Sequence, residues 1–302
     1  MTRMLTNTVI LIGCGVVGKA TGKGLIKNGN TVKFVDRDLG TVSTLKSQGY
    51  EAYSLEEYPY LQGDITMVCV STPTNMEGKI DFSSIQNASI NIGKWLAKNN
   101  NNYHTIVIRS TVPPYTTRNM ILPLIELYSQ QRAGVNFGIC MQPEFLRAAS
   151  SESDFLNQWF TVIGEYDKKS SDKIYQLYKR FCNNITITDL ETAEFMKYVH
   201  NCFNEVKISF ANEMWSFGKK IGIDANHALE LATSSAEGYW NPKYGTVGGA
   251  PYGGACLPKD TKGFISYAKD NNITLDLLEA VDRVNEALKM RGSSKPEIFV
   301  NS

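Results

Sequence analysis

In the first 188 residues, short apolar, β-branched runs alternate with segments whose apolar positions recur at helical spacing. An apolar run over Val9–Ile12 enters a glycine-rich turn, a helix follows and is broken at Asn28–Asn30, and a second strand covers Thr31–Asp36. Further apolar runs follow at residues 64–72, 103–111, 135–143 and 159–164. Strands that alternate with helices predict an α/β fold with a doubly wound, mostly parallel sheet covered on both faces.

The pattern changes after about Thr188. Residues 189–222 contain no glycine or proline before Gly218, and their apolar residues recur at helical spacing, which predicts one long helix. Two more helices are predicted over residues 224–234 and 274–289, on either side of a long linker rich in glycine, proline and tyrosine. The second part of the chain is therefore predicted to be all-helical.

This change divides the chain into two predicted domains, residues 1–188 and residues 189–302. The long helix is apolar on more faces than one neighbouring element covers. We therefore predict that two copies of the chain pair through this helix as a homodimer.

Composition narrows the possible partners. The chain has 302 residues, 42% hydrophobic content and a formal net charge of +1, so it can bury a large core and has no charge excess that favours nucleic acid or an anionic membrane. No stretch reaches the roughly 18 apolar residues of a membrane span. The six cysteines form no CxxC pair and no Cys/His cluster typical of zinc sites. We expect reduced thiols, a cytoplasmic location, small-molecule partners and no metal.

Gly13, Gly15 and Gly18 form a GxGxxG turn after the first predicted strand. In such a turn the first glycine permits the bend, the second lets the backbone approach a pyrophosphate, and the third lets helix and strand pack closely. Asp36 ends the next strand 23 positions after Gly13, where a carboxylate binds a ribose 2′-hydroxyl and repels a 2′-phosphate. The arrangement predicts a Rossmann-type domain that binds NAD in preference to NADP, a preference that Arg37 weakens. The alternative is a glycine-rich turn in another α/β protein.

Lys197 and Asn201 are spaced i,i+4 on one face of the predicted long helix, and Asn204 and Asn212 continue roughly the same polar stripe. A solvated stripe on a partly exposed helix is one interpretation. The other is a pair that resembles the Lys/Asn pair of the 6-phosphogluconate and β-hydroxyacid dehydrogenases, which follows a Rossmann domain and handles an alcohol proton during hydride transfer. Those enzymes need no cysteine nucleophile.

The linker contains a cysteine behind two glycines, in the stretch YGGACLPKD at residues 252–260. Glycines let other groups approach, a lysine favours a thiolate, and an aspartate orients a water or a proton, so Cys256 is a candidate nucleophile. The plainer alternatives are a small buried thiol and, for Asp260, a cap on a helix that starts near Thr261.

Seven blocks of the sequence together resemble the UDP-glucose/GDP-mannose dehydrogenase family. In chain order they are GCGVVG (13–18), VSTPT (70–74), RSTVPPYTT (109–117), PEFLR (143–147), KYVHNCFNEVKISFANE (197–213), YGGACLPKD (252–260) and LLEAVDRVNE (277–286). The resemblance covers nearly the whole chain. It implies a four-electron oxidation of the C6 alcohol of a nucleotide sugar to a carboxylate with two NAD, through a cysteine thiohemiacetal and a thioester.

The resemblance implies catalytic roles for six residues: Thr111, Glu144, Lys197, Asn201, Cys256 and Asp260. Cys256 matches the nucleophile that captures the aldehyde. Lys197 and Asn201 match a pair that stabilises oxyanions at C6, and Lys197 is also placed to assist proton movement. Glu144 matches an acid linked to thioester hydrolysis. Thr111 and Asp260 match residues that position the reacting oxygen or a water.

The resemblance also implies two sets of binding residues. Cofactor contacts are implied at Gly13, Gly15, Val16, Val17, Gly18, Asp36, Arg37, Thr72, Thr111 and Lys259. Substrate contacts are implied at Phe145, Leu146, Lys197, Asn201, Lys243, Tyr252, Gly253 and Gly254.

The sequence departs from the family pattern in three places. Ala148 and Ala149 follow PEFLR where relatives have an acid and a glycine, and Lys243 stands where relatives have an arginine that reaches a neighbouring subunit. Relatives continue into a second Rossmann-like domain that binds the nucleotide diphosphate, and we expect this chain, which ends at Ser302, to lack it. We predict UDP-glucose as the substrate; the alternatives are GDP-mannose, or a weakly active binding or assembly module.

Overall fold

The computed structural model describes residues 6–99, 102–254 and 256–291. The chain divides into two compact units, Met1–His200 and Asn201–Ser302. This division falls after His200, whereas the sequence predicts a domain boundary after Thr188. The tail at residues 292–302, which belongs to the second predicted domain, lies outside the described residues.

Eight strands form one sheet in the first unit. They are β1 (Thr8–Ile12), β2 (Thr31–Asp36), β3 (Ala52–Ser54), β4 (Ile65–Val68), β5 (His104–Ile108), β6 (Phe137–Met141), β7 (Thr161–Glu165) and β8 (Ile185–Asp189). Their order is β3-β2-β1-β4-β5-β6-β7-β8, and neighbours are parallel except for the antiparallel pair β6 and β7. The predicted mostly parallel α/β sheet is confirmed. The apolar runs did not predict β3, which is short, or β8, which is half exposed, and these are the two edge strands.

Helices precede and follow the strands in the first unit. They are α1 (Val16–Lys27), α2 (Leu39–Ser47), α3 (Ser83–Lys98), α4 (Leu122–Ser129), α5 (Ser151–Leu156) and α6 (Lys168–Tyr178), with 3₁₀ turns at Tyr58–Tyr60 and Ala148–Ser150 and a π-helical turn at Thr117–Ile121.

The sheet is buried on both faces. Successive residues of β1 belong to different core clusters, because Ile10 packs in the cluster that contains Trp95 and Leu11 packs in the cluster that contains Phe155. A parallel sheet with both faces covered explains why its strands are nearly continuous apolar runs in the sequence.

The remaining helices are α7 (Leu190–Ile221), α8 (Ala225–Ser235), α9 (Glu237–Trp240), α10 (Leu257–Asp270) and α11 (Asp276–Met290). The 32-residue helix α7 starts in the first unit and continues into the second, which confirms the predicted long helix. Within the second unit, a small core contains Phe217 of α7, Ala268 of α10, and Ile273 and Leu275, which lie between α10 and α11. In the described part of the chain, we find no helix with both the length and the apolar character that crossing a bilayer requires.

Candidate active site

The glycine turn between β1 and α1 leaves room for a ligand at one position. Gly13 has φ +93°, and a Cβ there would lie 2.7 Å from the backbone of Cys69. A Cβ at Gly18 would overlap the carbonyl oxygen of Gly13, so this glycine serves close packing. An added Cβ at Gly15 meets nothing within 4 Å. The open space therefore lies at the N-terminus of α1, where backbone N–H groups and the helix dipole bind phosphate groups.

Asp36 is fixed beside this turn at the end of β2. Its Oδ2 accepts a hydrogen bond from the Cys14 N–H at 2.6 Å, and its Oδ1 accepts one from the Asp38 N–H at 2.9 Å. Arg37 is exposed. The carboxylate therefore occupies the position from which an acid binds a ribose hydroxyl in dinucleotide-binding folds.

A cavity of 930 Å³ lies against the glycine turn. Six of the predicted cofactor residues line it: Gly13, Gly15, Val16, Val17, Asp36 and Arg37. Four predicted cofactor residues are not part of its lining: Gly18, Thr72, Thr111 and Lys259. The volume is in the range of cofactor pockets, about 300–1,000 Å³.

One wall of this cavity was not predicted. A polar stripe of α3 contributes to it through Ser84, Asn87, Asn91 and Lys94. Residues three and four apart share a helix face, so the spacing of these side chains is a signal that the sequence contains. It adds hydrogen-bonding groups to the same cavity as the glycine turn.

Thr72 and Thr111 lie together at the carboxyl ends of β4 and β5. The Thr72 hydroxyl donates to the carbonyl oxygen of Thr111 at 2.7 Å, and the Ser110 hydroxyl donates to the carbonyl oxygen of Val70 at 2.6 Å. These bonds tie two neighbouring loops to each other. In open α/β sheets, ligands bind at this edge.

The structure brings two predicted catalytic residues into contact. Lys197 of α7 is 5% exposed, and its Nζ lies 2.6 Å from the carbonyl oxygen and 3.1 Å from Oε1 of Glu144. The other carboxylate oxygen of Glu144 accepts the Leu146 N–H at 2.6 Å. Burial of a charge requires such partners. The result is an ammonium group held in one place, which is the requirement for stabilising a developing oxyanion.

A second cavity, of 630 Å³, adjoins this pair within the first unit. Glu144 lines it together with the predicted substrate residues Phe145 and Leu146 and with His200. The rings of Phe145 and His200 are 4.9 Å apart. Burial and the positive charge of Lys197 lower the pKa of His200, so its imidazole is neutral at pH 7.

Two buried charged residues of the first unit were not singled out from the sequence. Arg109, 2% exposed, donates hydrogen bonds to Gln142 and to the Tyr178 hydroxyl and lines the second cavity. Glu194 is fully buried and accepts the Thr117 N–H at 2.7 Å, and burial raises its pKa. The sequence contains a signal for each residue: Arg109 is a charge directly after an apolar strand, and Glu194 is an acid among apolar residues in the first turns of α7.

Cys256 lies at the start of a helix. It is exposed and is the N-cap residue of α10, which begins at Leu257. The interpretation of a buried thiol is therefore wrong. The helix starts before Thr261, and Asp260 lies inside its first turn, so the interpretation of Asp260 as the cap is also wrong. A helix N-terminus stabilises negative charge, which suits a thiolate nucleophile.

Three cysteines of the first unit are less exposed than Cys256. Burial raises the pKa of Cys69 to about 11 and raises the pKa of Cys14 and Cys140 further. These three thiols therefore stay protonated at neutral pH, and a protonated thiol is a poor nucleophile.

The other predicted residues of the second unit are mostly exposed. Asn201 is exposed on α7, and Lys243 is exposed in a turn in which its N–H donates to Asn241 Oδ1 at 3.0 Å. Lys259 is exposed and forms an ion pair with its neighbour Asp260. Gly253 and Gly254 are exposed, and Tyr252 is half-buried. The predicted catalytic set is thus divided between the units, with Thr111, Glu144 and Lys197 in the first and Asn201, Cys256 and Asp260 in the second.

Comparison with known families covers both units. Residues 53–182 match the NAD binding domain of the UDP-glucose/GDP-mannose dehydrogenase family, and residues 191–287 match the central domain of the same family. The first unit is therefore an NAD-binding domain, in agreement with the cavity at the glycine turn.

Individual relatives agree with these matches. GDP-mannose 6-dehydrogenase of Pseudomonas syringae pv. tomato is 34% identical over 227 residues, 74% of this chain and 50% of the relative, so the chain spans about half the length of that protein. UDP-glucose 6-dehydrogenase of Rickettsia bellii is 31% identical over 304 residues, 92% of this chain and 66% of the relative. A crystal structure of a ternary complex of GDP-mannose dehydrogenase from Pseudomonas aeruginosa has a TM-score of 0.88 at 28% identity and covers 94% of this chain and 69% of that one. The chain belongs to the UDP-glucose/GDP-mannose dehydrogenase family.

Proposed function

We propose that the chain oxidises the C6 alcohol of a nucleotide sugar to a carboxylate, with two NAD consumed per sugar. The observation that supports this best is the buried Lys197, whose Nζ lies 2.6 Å from the carbonyl oxygen and 3.1 Å from a carboxylate oxygen of Glu144. A fixed ammonium beside a carboxylate is suited to binding an alcohol oxygen and to sharing its proton.

The residues around the first cavity fit NAD. The space at Gly15 and the N-terminus of α1 would hold the pyrophosphate, and Asp36 would hold a ribose hydroxyl. When bound, NAD supplies the acceptor for the hydride that leaves the oxidised carbon. The Asp36 carboxylate repels a 2′-phosphate, which favours NAD over NADP.

Lys197 and Asn201 are assigned to the first oxidation. As the hydroxyl proton leaves, negative charge develops on the C6 oxygen, and the ammonium and amide groups stabilise that charge. The same carbon then loses a hydride and becomes an aldehyde. Thr111 is assigned the role of orienting the reacting oxygen.

Cys256 is assigned to the second oxidation. Its thiolate adds to the aldehyde carbon and forms a C–S bond, and the aldehyde oxygen takes up a proton, which gives a thiohemiacetal. When its C–H hydride is lost to a second NAD and its hydroxyl proton to solvent, a thioester remains. A water attacks the thioester carbonyl, the C–S bond breaks, and the carboxylate, the free thiol and one proton are released. Glu144 is assigned to this hydrolysis, and Asp260 is assigned to orienting the reacting oxygen or a water.

The proposed substrate is UDP-glucose, and GDP-mannose is the alternative. The PEFLR and CLPKD blocks favour these two substrates over an N-acetylhexosamine nucleotide. The Rickettsia bellii UDP-glucose 6-dehydrogenase, which matches 92% of the chain, supports the first. The Pseudomonas syringae GDP-mannose 6-dehydrogenase, at 34% identity over 74% of the chain, supports the second. Both substrates carry the same reacting C6 alcohol, so the proposed roles of the residues are the same for either.

The test is the yield of NADH per sugar when the reaction runs to completion, with UDP-glucose and with GDP-mannose in parallel. We expect two NADH per sugar from the wild type and a stalled reaction from Cys256→Ser. Cys202→Ser, which changes the exposed cysteine of α7, is the matched control and should leave the yield unchanged. One NADH per sugar that is insensitive to Cys256→Ser would indicate a single-step alcohol dehydrogenase. No NADH with either sugar would overturn the proposal.

We further propose that the chain is a cytoplasmic homodimer that pairs through α7. Four apolar residues of this helix are between 50% and 62% exposed and share one stripe: Phe195, Val199, Phe203 and Val206. An apolar stripe of this size on an exposed helix favours burial against a second copy. The six free cysteines support a reducing compartment.

A further inference from the structure

The loop between α9 and Cys256 is rich in glycine. Gly245, Gly249 and Gly254 have positive φ angles, and a Cβ added at each would meet nothing within 4 Å. These glycines therefore permit backbone conformations and do not serve close packing. Ordering such a segment has a large entropic cost, so contacts from elsewhere in the unit have to hold it in place.

A buried asparagine of α11 holds this loop four residues before the cysteine. Asn285 is 2% exposed, and its Nδ2 donates to the carbonyl oxygen of Tyr252 at 3.1 Å. A carbonyl oxygen only accepts, so the amide nitrogen must be the atom that faces it. This bond joins positions 33 apart, whereas bonds at Lys243 and Thr246 stay within one turn.

The helix that carries Asn285 forms ion pairs with α10, the helix whose N-cap residue is Cys256. Lys262 of α10 lies 2.9 Å from Glu286 of α11, and Lys269 lies 3.1 Å from Glu279. The hydrogen bond from Lys262 lowers the pKa of Glu286 to about 2, so this carboxylate is ionised at neutral pH. Both ends of the segment from Tyr252 to Cys256 are therefore attached to one pair of helices.

This geometry limits where the thiol can go. Four residues extend at most about 14 Å, so fixing the carbonyl of Tyr252 restricts the positions that Cys256 can reach. Polar atoms near this attachment point are also buried without a hydrogen-bond partner among the residues that the structure describes: Tyr252 hydroxyl, Asp282 Oδ1 and Asn285 Oδ1. Such atoms are rare in folded proteins and each requires a reason.

We infer that Asn285 is the positioning residue of the cysteine loop: its amide holds the Tyr252 carbonyl and so sets the approach of the Cys256 thiol to its electrophile. The inference rests on the proposed role of Cys256 as nucleophile. The amide of Asn285 takes no part in bond making or breaking.

The first test follows the thiol directly and needs no sugar substrate. In a Cys202→Ser background, iodoacetamide alkylation of Cys256 is timed by mass spectrometry at pH 7.5, together with hydrogen exchange of peptides that cover residues 248–256. Asn285→Asp keeps the shape of the side chain and removes the donor, so we expect the alkylation rate to change by at least about fivefold and the loop to exchange faster.

A matched control separates this effect from general loss of stability. Asn30, in the first unit, is 5% exposed and donates from Nδ2 to the Leu25 carbonyl at 3.2 Å. Asn30→Asp removes the same kind of bond and should leave Cys256 alkylation unchanged. Asn285→Asp adds a negative charge near Glu286, so Asn285→Leu tests the loss of the hydrogen-bond donor without an added charge. Asn285→Gln keeps an amide and should restore part of the wild-type rate of Cys256 alkylation. Alkylation rates within twofold of wild type for both Asn285→Asp and Asn285→Leu overturn the inference, even where thermal unfolding shifts.

The second test separates this inference from the proposed function. Where the chain oxidises a nucleotide sugar, Asn285→Leu should lower kcat by about 10- to 100-fold with KM for NAD unchanged, because the variant misplaces the thiol and leaves the cavity of the first unit intact. An unchanged kcat would contradict the inference. Where wild type oxidises neither sugar, the proposed function fails, and the alkylation and exchange rates still decide whether Asn285 positions the loop.

Discussion

The ion pair between Lys197 and Glu144 is the most constrained charge pair of the proposed catalytic set. Their side chains are 7% and 12% exposed, whereas those of Lys23 and Glu152, another pair of the first unit, are 21% and 49% exposed. Desolvation offsets most of the attraction in a buried pair, so such a pair adds little net stability while the loss of one partner is costly. The buried pair therefore fits a chemical role better than a role in stability.

Lys197→Met should lower the free energy of unfolding by about 3–5 kcal/mol, because it leaves the Glu144 carboxylate buried without its cation. The double variant Lys197→Met with Glu144→Gln should regain most of that loss and remain inactive. Urea unfolding at pH 7 measures the free energies of unfolding of wild type, Lys197→Met, Glu144→Gln and the double variant, and these four values together give the pairwise term.

Lys23→Met is the control for this prediction. Its pair with Glu152 is more exposed, so its removal should change the free energy of unfolding by less than about 1 kcal/mol. If Lys23→Met and Lys197→Met lowered the free energy of unfolding equally, the larger cost expected for the buried pair would be contradicted.

Among the elements, β4 and β5 are joined by a buried histidine. His104 of β5 is 3% exposed; its Nε2 lies 2.8 Å from the Thr66 hydroxyl of β4, and its Nδ1 lies 3.1 Å from the Gly63 carbonyl oxygen. Because that carbonyl only accepts, Nδ1 carries the proton and Nε2 accepts from Thr66. Burial lowers the pKa of His104 to about 3, so the folded state keeps this imidazole neutral.

The free energy of unfolding should therefore fall as the pH decreases from about 6.5 towards 3. In this window the unfolded chain binds a proton at His104 and the folded chain does not, which gives a slope of at most about 1.4 kcal/mol per pH unit from this group. His104→Gln should flatten this part of the profile. Denaturant unfolding between pH 7 and pH 4 measures the slope.

His227 is the control residue for the pH dependence that is assigned to His104. Its side chain is exposed on α8, so His227→Gln should leave the profile of the wild type unchanged. A wild-type slope that survives His104→Gln would place its origin in other groups, such as carboxylates that lose their partners on protonation.

For the whole molecule, the exposed apolar stripe of α7 bears on the proposed homodimer. Four apolar side chains along one stripe are at least half exposed, and a helix of 32 residues offers a long surface. Stable dimer interfaces bury roughly 1,200–2,000 Å² and are most apolar at their centre, which suits a stripe on a long helix.

We expect light scattering after size exclusion to give the mass of two chains for the wild type. Phe203→Lys places a charge in the middle of the stripe and should give one chain at micromolar concentration. Glu205→Lys changes an exposed charge on another face of the same helix and should leave the dimer intact. A monomeric wild type at high concentration would contradict the proposed homodimer.

Much of the fold could be predicted because it depends on short-range patterns. The strands of the sheet centre are apolar runs, and α7 lacks glycine and proline over most of its length. The edge strands β3 and β8 were missed because a short or half-exposed strand has no continuous apolar run. The sequence does not show the start of α10, because Pro258 is typical of a loop as well as of the first turn of a helix, where proline is tolerated.

By itself the sequence determined the fold class, because strand-like and helix-like segments alternate along the chain. It also determined the glycine turn with Asp36, the long helix with Lys197 and Asn201 on one face, and the candidate nucleophile Cys256, because each of these is a local pattern of residues. Only the tertiary structure decided which distant groups meet. Lys197 contacts Glu144, which is 53 positions away in the sequence, and Asn285 contacts Tyr252, which is 33 positions away. Such pairings depend on how separate elements pack and on which charges that packing buries, and neither is encoded in a local pattern.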